Sequence, residues 1–262
     1  MERNHGHVFV SHALSYLTVS KNGLSDVEME DVLSLDDVVL NDVFQHWLPP
    51  IRRVPPLLLP RLQDELSSYI IQREANGTVV FYWYHRQFIF VARSRYLAEV
   101  GHRLYIHTSL AHYFLGTWGG GKCKPFRYSA MQMALMSIDG KENDVADRKV
   151  PLQPLILGKD PVVIYNLRKL SELPYHLLES RQYLLLKQEV VHLPRVPSVL
   201  PIVIKFTKPL YVCKIQVVFS LFRTTFISCF FVHGGHLPEN LEKSVKLTLV
   251  REKSGKSGVV YL

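Results

Sequence analysis

Ile70-Ile71-Gln72-Arg73-Glu74-Ala75-Asn76-Gly77-Thr78-Val79-Val80-Phe81-Tyr82-Trp83-Tyr84-His85-Arg86-Gln87-Phe88 is the stretch on which the fold turns. Ile70–Arg73 and Thr78–Tyr84 are rich in β-branched and aromatic residues. Asn76-Gly77 lies between them, a pair that accepts the positive φ of a tight hairpin turn. The pattern predicts a two-stranded β-hairpin. Asn76-Gly77-Thr78 also spells a glycosylation sequon, but a hairpin turn accounts for it more simply. Phe88, Ile89, Ala92 and Tyr96 then continue at helical spacing.

Upstream, Phe9, Ala13 and Leu17, with Val10 and Leu14, mark a helix that Asn22-Gly23 ends. Ser25 and Glu28 have capping-box spacing, and Met29, Val32 and Leu33 form the buried side of the helix they open. Leu40, Val43, Phe44 and Trp47 fall at i, i+3, i+4, i+7 and predict a helix that runs until Pro49-Pro50. Pro55, Pro56 and Pro60 mark an ordered connector, and Leu62, Leu66, Tyr69 and Ile70 give a further helical stripe. Several helices, a hairpin and a helix are the order of a winged-helix domain, with the hairpin as the wing.

Downstream, residues 100–115 predict another helix, with Leu104, Leu110 and Phe114 apolar. Residues 116–163 read as loop-rich, with three consecutive glycines, Asp139-Gly140 and scattered prolines. Asn166–Leu177 and Leu178–Val191 read as an antiparallel helix pair with Pro174 near the junction. The predicted class is mainly α with a small β wing (α+β). A winged-helix domain spans 1–98 and a helical linker region 99–191. An irregular apolar and basic tail spans 192–262. Ile215–His233 is long enough for a membrane span, but Arg223 in its middle is costly there, so a β-rich stretch is favoured and membrane association through residues 215–233, not expected, is kept only as an alternative reading.

The chain has 262 residues, 47% of them apolar and 21% charged, an ordinary globular mix. Its 31 basic and 23 acidic side chains leave a net charge of +8. That charge is uneven: the first fifty residues are acidic and the last sixty basic. A basic tail can bind phosphates or acidic lipid surfaces, though a solvated end is the plainer reading. The three cysteines share no metal-like or framework spacing, and Met1–His7 is polar rather than a secretory leader. Both point to a reducing, cytoplasmic setting.

Catalytic signatures are sparse. Gly116-Thr117-Trp118-Gly119-Gly120-Gly121-Lys122-Cys123 approaches the phosphate-binding loop GxxxxGK[ST]. Cys123 occupies the position of the magnesium-binding hydroxyl, Pro125 follows where a helix should run, and the preceding segment reads as helix rather than strand. His102, His107 and His112 are spaced by five, which turns them apart around a helix, so no metal is expected. No GxSxG occurs. A DNA-reading winged helix needs a basic recognition helix and wing. Here Arg61 is set against Asp64 and Glu65, and Arg73 against Glu74, so DNA binding is the alternative rather than the main reading. His85 remains: it could cap the following helix and pack in the domain, or offer a hydrogen bond to an anion near a helix N-terminus.

Whole phrases then match one family in order. They include Ala13-Leu14-Ser-Tyr-Leu-Thr-Val-Ser20-Lys-Asn-Gly-Leu-Ser25, Glu30-Asp31-Val-Leu33, Asp42-Val-Phe-Gln45, Pro49-Pro50, Arg53-Val-Pro-Pro-Leu57 and Trp83-Tyr-His-Arg-Gln-Phe88. Tyr113-Phe-Leu-Gly-Thr-Trp-Gly-Gly-Gly121, Arg148-Lys-Val-Pro-Leu-Gln-Pro154 and Tyr165-Asn-Leu-Arg-Lys-Leu-Ser-Glu-Leu-Pro-Tyr175 extend the series. Residues 7–191 resemble the winged-helix and linker region of the NACHT and WD-repeat domain-containing proteins, which are STAND-type ATPase relatives.

The resemblance implies a non-catalytic regulatory and protein-interaction segment, not an enzyme, whose partner is a NACHT ATPase core that binds ATP or ADP. This segment itself would hold no cofactor. His85 with Phe88 matches a pattern in which a winged-helix histidine reaches the bound ADP; Arg86 and Gln87 depart from the commonest form. The ATPase core and the propellers of the family plan are not among these residues. Residues 192–262 resemble neither, which suggests a truncated or wrongly joined gene product.

Overall fold

A computed structural model describes residues 1–136, 143–158, 164–192, 215–221, 223–229, 247–249 and 258–260. The chain divides into two units, Met1–Val196 and Pro197–Leu262.

The first unit opens with α1 (Glu2–His5), α2 (His7–Val19), α3 (Asp26–Leu35), α4 (Asp37–Val43) and α5 (Leu58–Leu66). Phe9, Val10, Ala13, Leu14 and Leu17 of α2 are buried, as their spacing requires. Ser25 and Glu28 do form the capping box: the Ser25 hydroxyl accepts from the Glu28 N–H and the Glu28 carboxylate accepts from the Ser25 N–H. Met29, Val32 and Leu33 are buried on the face that follows.

The hairpin is β1 (Ile70–Ala75) paired antiparallel with β2 (Thr78–Trp83), in register Ile70 to Trp83 and Ala75 to Thr78. Asn76 and Gly77 have φ of 56° and 74°, the two positive values a type I′ turn needs. Leu24 and Phe81 exchange both backbone hydrogen bonds, so the turn before α3 is stitched to the wing. α6 (Arg86–Tyr96) and α7 (Val100–Leu115) follow.

Four boundaries differ from expectation. The helix over Leu40–Trp47 ends at Val43, and Trp47 is exposed. The Phe44 carbonyl, which would otherwise continue the ladder, instead accepts from the Gln132 side chain. The stripe ending in Tyr69 and Ile70 stops at Leu66, because the Tyr69 N–H turns back to the Leu66 carbonyl and Ile70 opens β1. The segment read as loop contains β3 (Cys123–Arg127), α8 (Ala130–Met136) and β4 (Asn143–Asp147), with β3 and β4 antiparallel. Pro174 lies inside α9 (Leu167–Glu179), not at its junction with α10 (Tyr183–His192). The break falls instead at Arg181, whose φ is 62°.

The β3–β4 hairpin is fastened by charge. Arg148, wholly buried, donates to Asp37 at 2.9 Å and to the Ser34 carbonyl at 3.2 Å. Lys124 reaches the same Asp37 at 2.9 Å, Arg52 reaches Asp144 at 2.9 Å, and Arg53 bridges Glu30 and the Arg148 carbonyl. A second buried centre is Asp36, which caps α4 and accepts from Tyr16, Tyr105 and the N–H groups of Val38 and Val39. His12 lies 2.6 Å from the same carboxylate. Burial alone would raise the Asp36 pKa. The His12 contact, followed by the tyrosine hydroxyls, outweighs it and holds the carboxyl below its usual range.

In the second unit, β5 (Ile215–Leu221) pairs antiparallel with β6 (Arg223–Cys229), and β7 (Leu247–Leu249) with β8 (Gly258–Val260). Within the stretch favoured as β-rich over a membrane span, the described residues are thus paired strands, with Ile215 opposite Cys229; residues 222 and 230–233 lie outside the described residues. Among the described residues no helix is long and apolar enough to cross a membrane.

Candidate functional site

His85 sits where β2 hands over to α6. Its backbone is extended (φ −133°, ψ 141°), as an N-cap requires, and its Nδ1 accepts from the Gln87 N–H at 3.3 Å. An imidazole that accepts at Nδ1 carries its proton at Nε2 when neutral, so the free nitrogen is a donor. The residue is exposed. The capping half of the expectation is therefore met. The packing half is met only at the ring edge: the Phe88 ring lies 6.5 Å away, centroid to centroid, at 80°.

The surroundings fix that position. The Phe88 N–H donates to the His85 carbonyl, and the Tyr84 N–H to the Tyr69 carbonyl at 2.8 Å. Phe88 packs edge-on against Tyr69 and beside Trp83. The Trp83 indole N–H in turn donates to the Thr18 hydroxyl on α2. Tyr84, just before the cap, and Phe90 and Val91 on α6 are 67%, 62% and 65% exposed. Arg86 and Gln87 are exposed beside them.

The remaining sequence candidates do not converge on a site. Gly116 is the left-handed C-cap of α7 and Cys123 opens β3, so the glycine run joins a helix to a strand and builds no phosphate loop. His102 lies near His12, His107 against His176, and His112 against Thr117. Among the described residues no group of His, Cys, Asp or Glu could hold a metal ion. Asn76 is a turn residue.

Sequence reasoning passed over Arg168, Glu172 and His176, which are buried on α9; Arg168 and Glu172 reach the turn before α3, and His176 meets Glu172 and His107. Their signal was legible: charged residues at i, i+4 and i+8 on one face of a helix that also buries Leu170, Leu173 and Leu177.

The family description "NWD1-like, winged helix-turn-helix domain" matches residues 1–102, which take in the capping box, the wing and His85. Residues 1–102 belong to that family. The similarity continues beyond them. Human NACHT domain- and WD repeat-containing protein 1 is 42% identical over 194 residues, 73% of this chain and 12% of that protein. Its mouse counterpart is 39% identical over the same shares. Human NACHT and WD repeat domain-containing protein 2 is 35% identical over 194 residues, 68% of this chain and 11% of that protein. The chain thus spans about an eighth of the length of these curated relatives. No solved structure matches it. The NWD1-like winged helix is mostly helical with a small antiparallel sheet, the class its sequence predicts.

Proposed function

We propose that this chain is a non-catalytic regulatory and protein-interaction segment that couples the nucleotide state of a NACHT ATPase core to assembly in a cytoplasmic signalling protein. One observation carries the reading: His85 caps α6 at the end of the wing and leaves its second ring nitrogen exposed and free to donate. The relatives named for NACHT and WD-repeat domains supply the partner chemistry. One exposed imidazole donor beside a helix N-terminus suits a single contact to a phosphate of ADP held by another module. It does not suit a complete nucleotide site, so the ATP or ADP belongs to the core.

The test joins this chain to the NACHT module of a relative and measures ADP retained through gel filtration. His85→Ala should lower retention several-fold, and equal retention would overturn the role of His85. Purified 1–262 alone should release phosphate from ATP no faster than buffer; sustained turnover would overturn the non-catalytic reading. A low-salt anisotropy titration with duplex DNA should stay flat.

A further inference from the structure

Residues 21–25 link α2 to α3, and their backbone polar groups are gripped from two sides. From α9, the Glu172 carboxylate accepts from the Lys21 and Asn22 N–H groups, both at 3.0 Å. Arg168 donates to the Gly23 carbonyl at 2.8 Å and grips Glu28 with two further bonds of 2.8 Å. The Asn22 side chain donates to the Ser171 hydroxyl at 2.8 Å. From the wing, Leu24 exchanges both backbone bonds with Phe81 on β2, and Arg73 on β1 donates to the Asn22 carbonyl at 3.2 Å. Gly23 has φ of 92°, and a Cβ there would lie 2.2 Å from the Phe81 carbonyl oxygen, so the approach of turn and wing is as close as glycine permits.

Glu172 itself is wholly buried. Besides the two amides it meets Arg168 at 3.2 Å and His176 at 3.3 Å. A buried carboxylate with that set of donors has no alternative arrangement of comparable energy, because any amide or cation it released would remain unpaired away from water.

We propose that this turn is a joint through which the position of α9 sets the position of the wing, with Glu172 as the positioning residue for His85 two residues beyond the end of β2. The joint rests on the reading of the wing end as the functional site. A shift of α9 drags the Lys21 and Asn22 amides, and the Leu24–Phe81 pairing carries that shift into β2. The coupling is reciprocal, so a displaced wing also loosens α9.

Hydrogen exchange by mass spectrometry on chain 1–262 without nucleotide tests it. Glu172→Gln keeps the side-chain volume but turns an NH₂ toward an N–H or the guanidinium. Exchange should quicken about tenfold at residues 21–24 and also at 78–83, while β3 and β4 keep the wild-type rate. Asn22→Ala, which loses only the Ser171 bond, should act in the same direction by about threefold and serves if Glu172→Gln does not fold. Wild-type exchange at 78–83 in a folded variant, with change confined to α9, would overturn the joint. Because no nucleotide is present, this result stands apart from the ADP test: an intact joint with an inert His85→Ala would overturn the sensing role alone.

Discussion

His107 and His176 face each other across the seam between α7 and α9 with their Nδ1 atoms 3.0 Å apart, so one ring must donate and the other accept. Glu172 lies 3.3 Å from His176 Nε2. Both histidines are buried.

That arrangement makes stability depend on pH. Burial, then the neighbouring His176, Arg103 and Arg93, push the His107 pKa down from 6.5 to about 3. Below pH 6.5 the unfolded chain takes up a proton that the folded chain refuses, so stability is full above that value and falls as pH drops toward 3. The slope from this one group is at most about 1.4 kcal/mol per pH unit. Urea unfolding at pH 7 and pH 5 should show a larger loss for wild type than for His107→Gln. Equal losses would remove His107 from the account.

Gly23 and Gly77 both have positive φ, yet they should respond differently to alanine. At Gly77 nothing lies within 4 Å of the added Cβ, so only the backbone strain of about 1 kcal/mol is expected. At Gly23 the Cβ meets the Phe81 carbonyl, and the cost should reach about 3 kcal/mol or more. The difference in urea midpoints reads this directly, and equal midpoints would contradict the close approach.

Arg148→Ala should destabilise by about 2–3 kcal/mol, below the usual cost of breaking a fully buried pair because Asp37 is one-third exposed and keeps Lys124. Arg148→Met, which refills the space over Phe126, should recover part of the loss. Thermal unfolding of the two variants measures it; identical melting would show that the charge contacts, not the packing over Phe126, account for the whole loss.

His85→Ala should change folding stability by less than about 1 kcal/mol, since it removes one long N-cap bond from an exposed residue. Circular dichroism and urea unfolding check this. A larger loss would mean that any effect on nucleotide retention reflects a damaged α6.

Much of the winged helix was legible because its signals are local. The Asn76-Gly77 turn, the Ser25–Glu28 box and the stripe Phe9, Ala13, Leu17 each act within a few residues, and each is where the sequence put it. His85 was legible as a cap for the same reason. The helix through Trp47 failed because the decisive group, Gln132, comes 88 residues after Phe44. The β3–β4 hairpin was hidden because Pro125 interrupts one strand and Asp144 and Asp147 make the other polar. Its register rests on Arg52, Lys124 and Arg148 finding carboxylates on other elements.

Sequence by itself determined the helix–wing order, the caps and the turn, since periodicity and turn chemistry are properties of neighbouring residues. Only the tertiary structure decided that Glu172 reaches amides 150 residues earlier, that Arg148 is buried against Asp37, and that Tyr84, Phe90 and Val91 stay uncovered. The reason is physical: a buried charge is tolerated only where distant segments bring it donors and acceptors, and no local pattern encodes which distant segment will arrive.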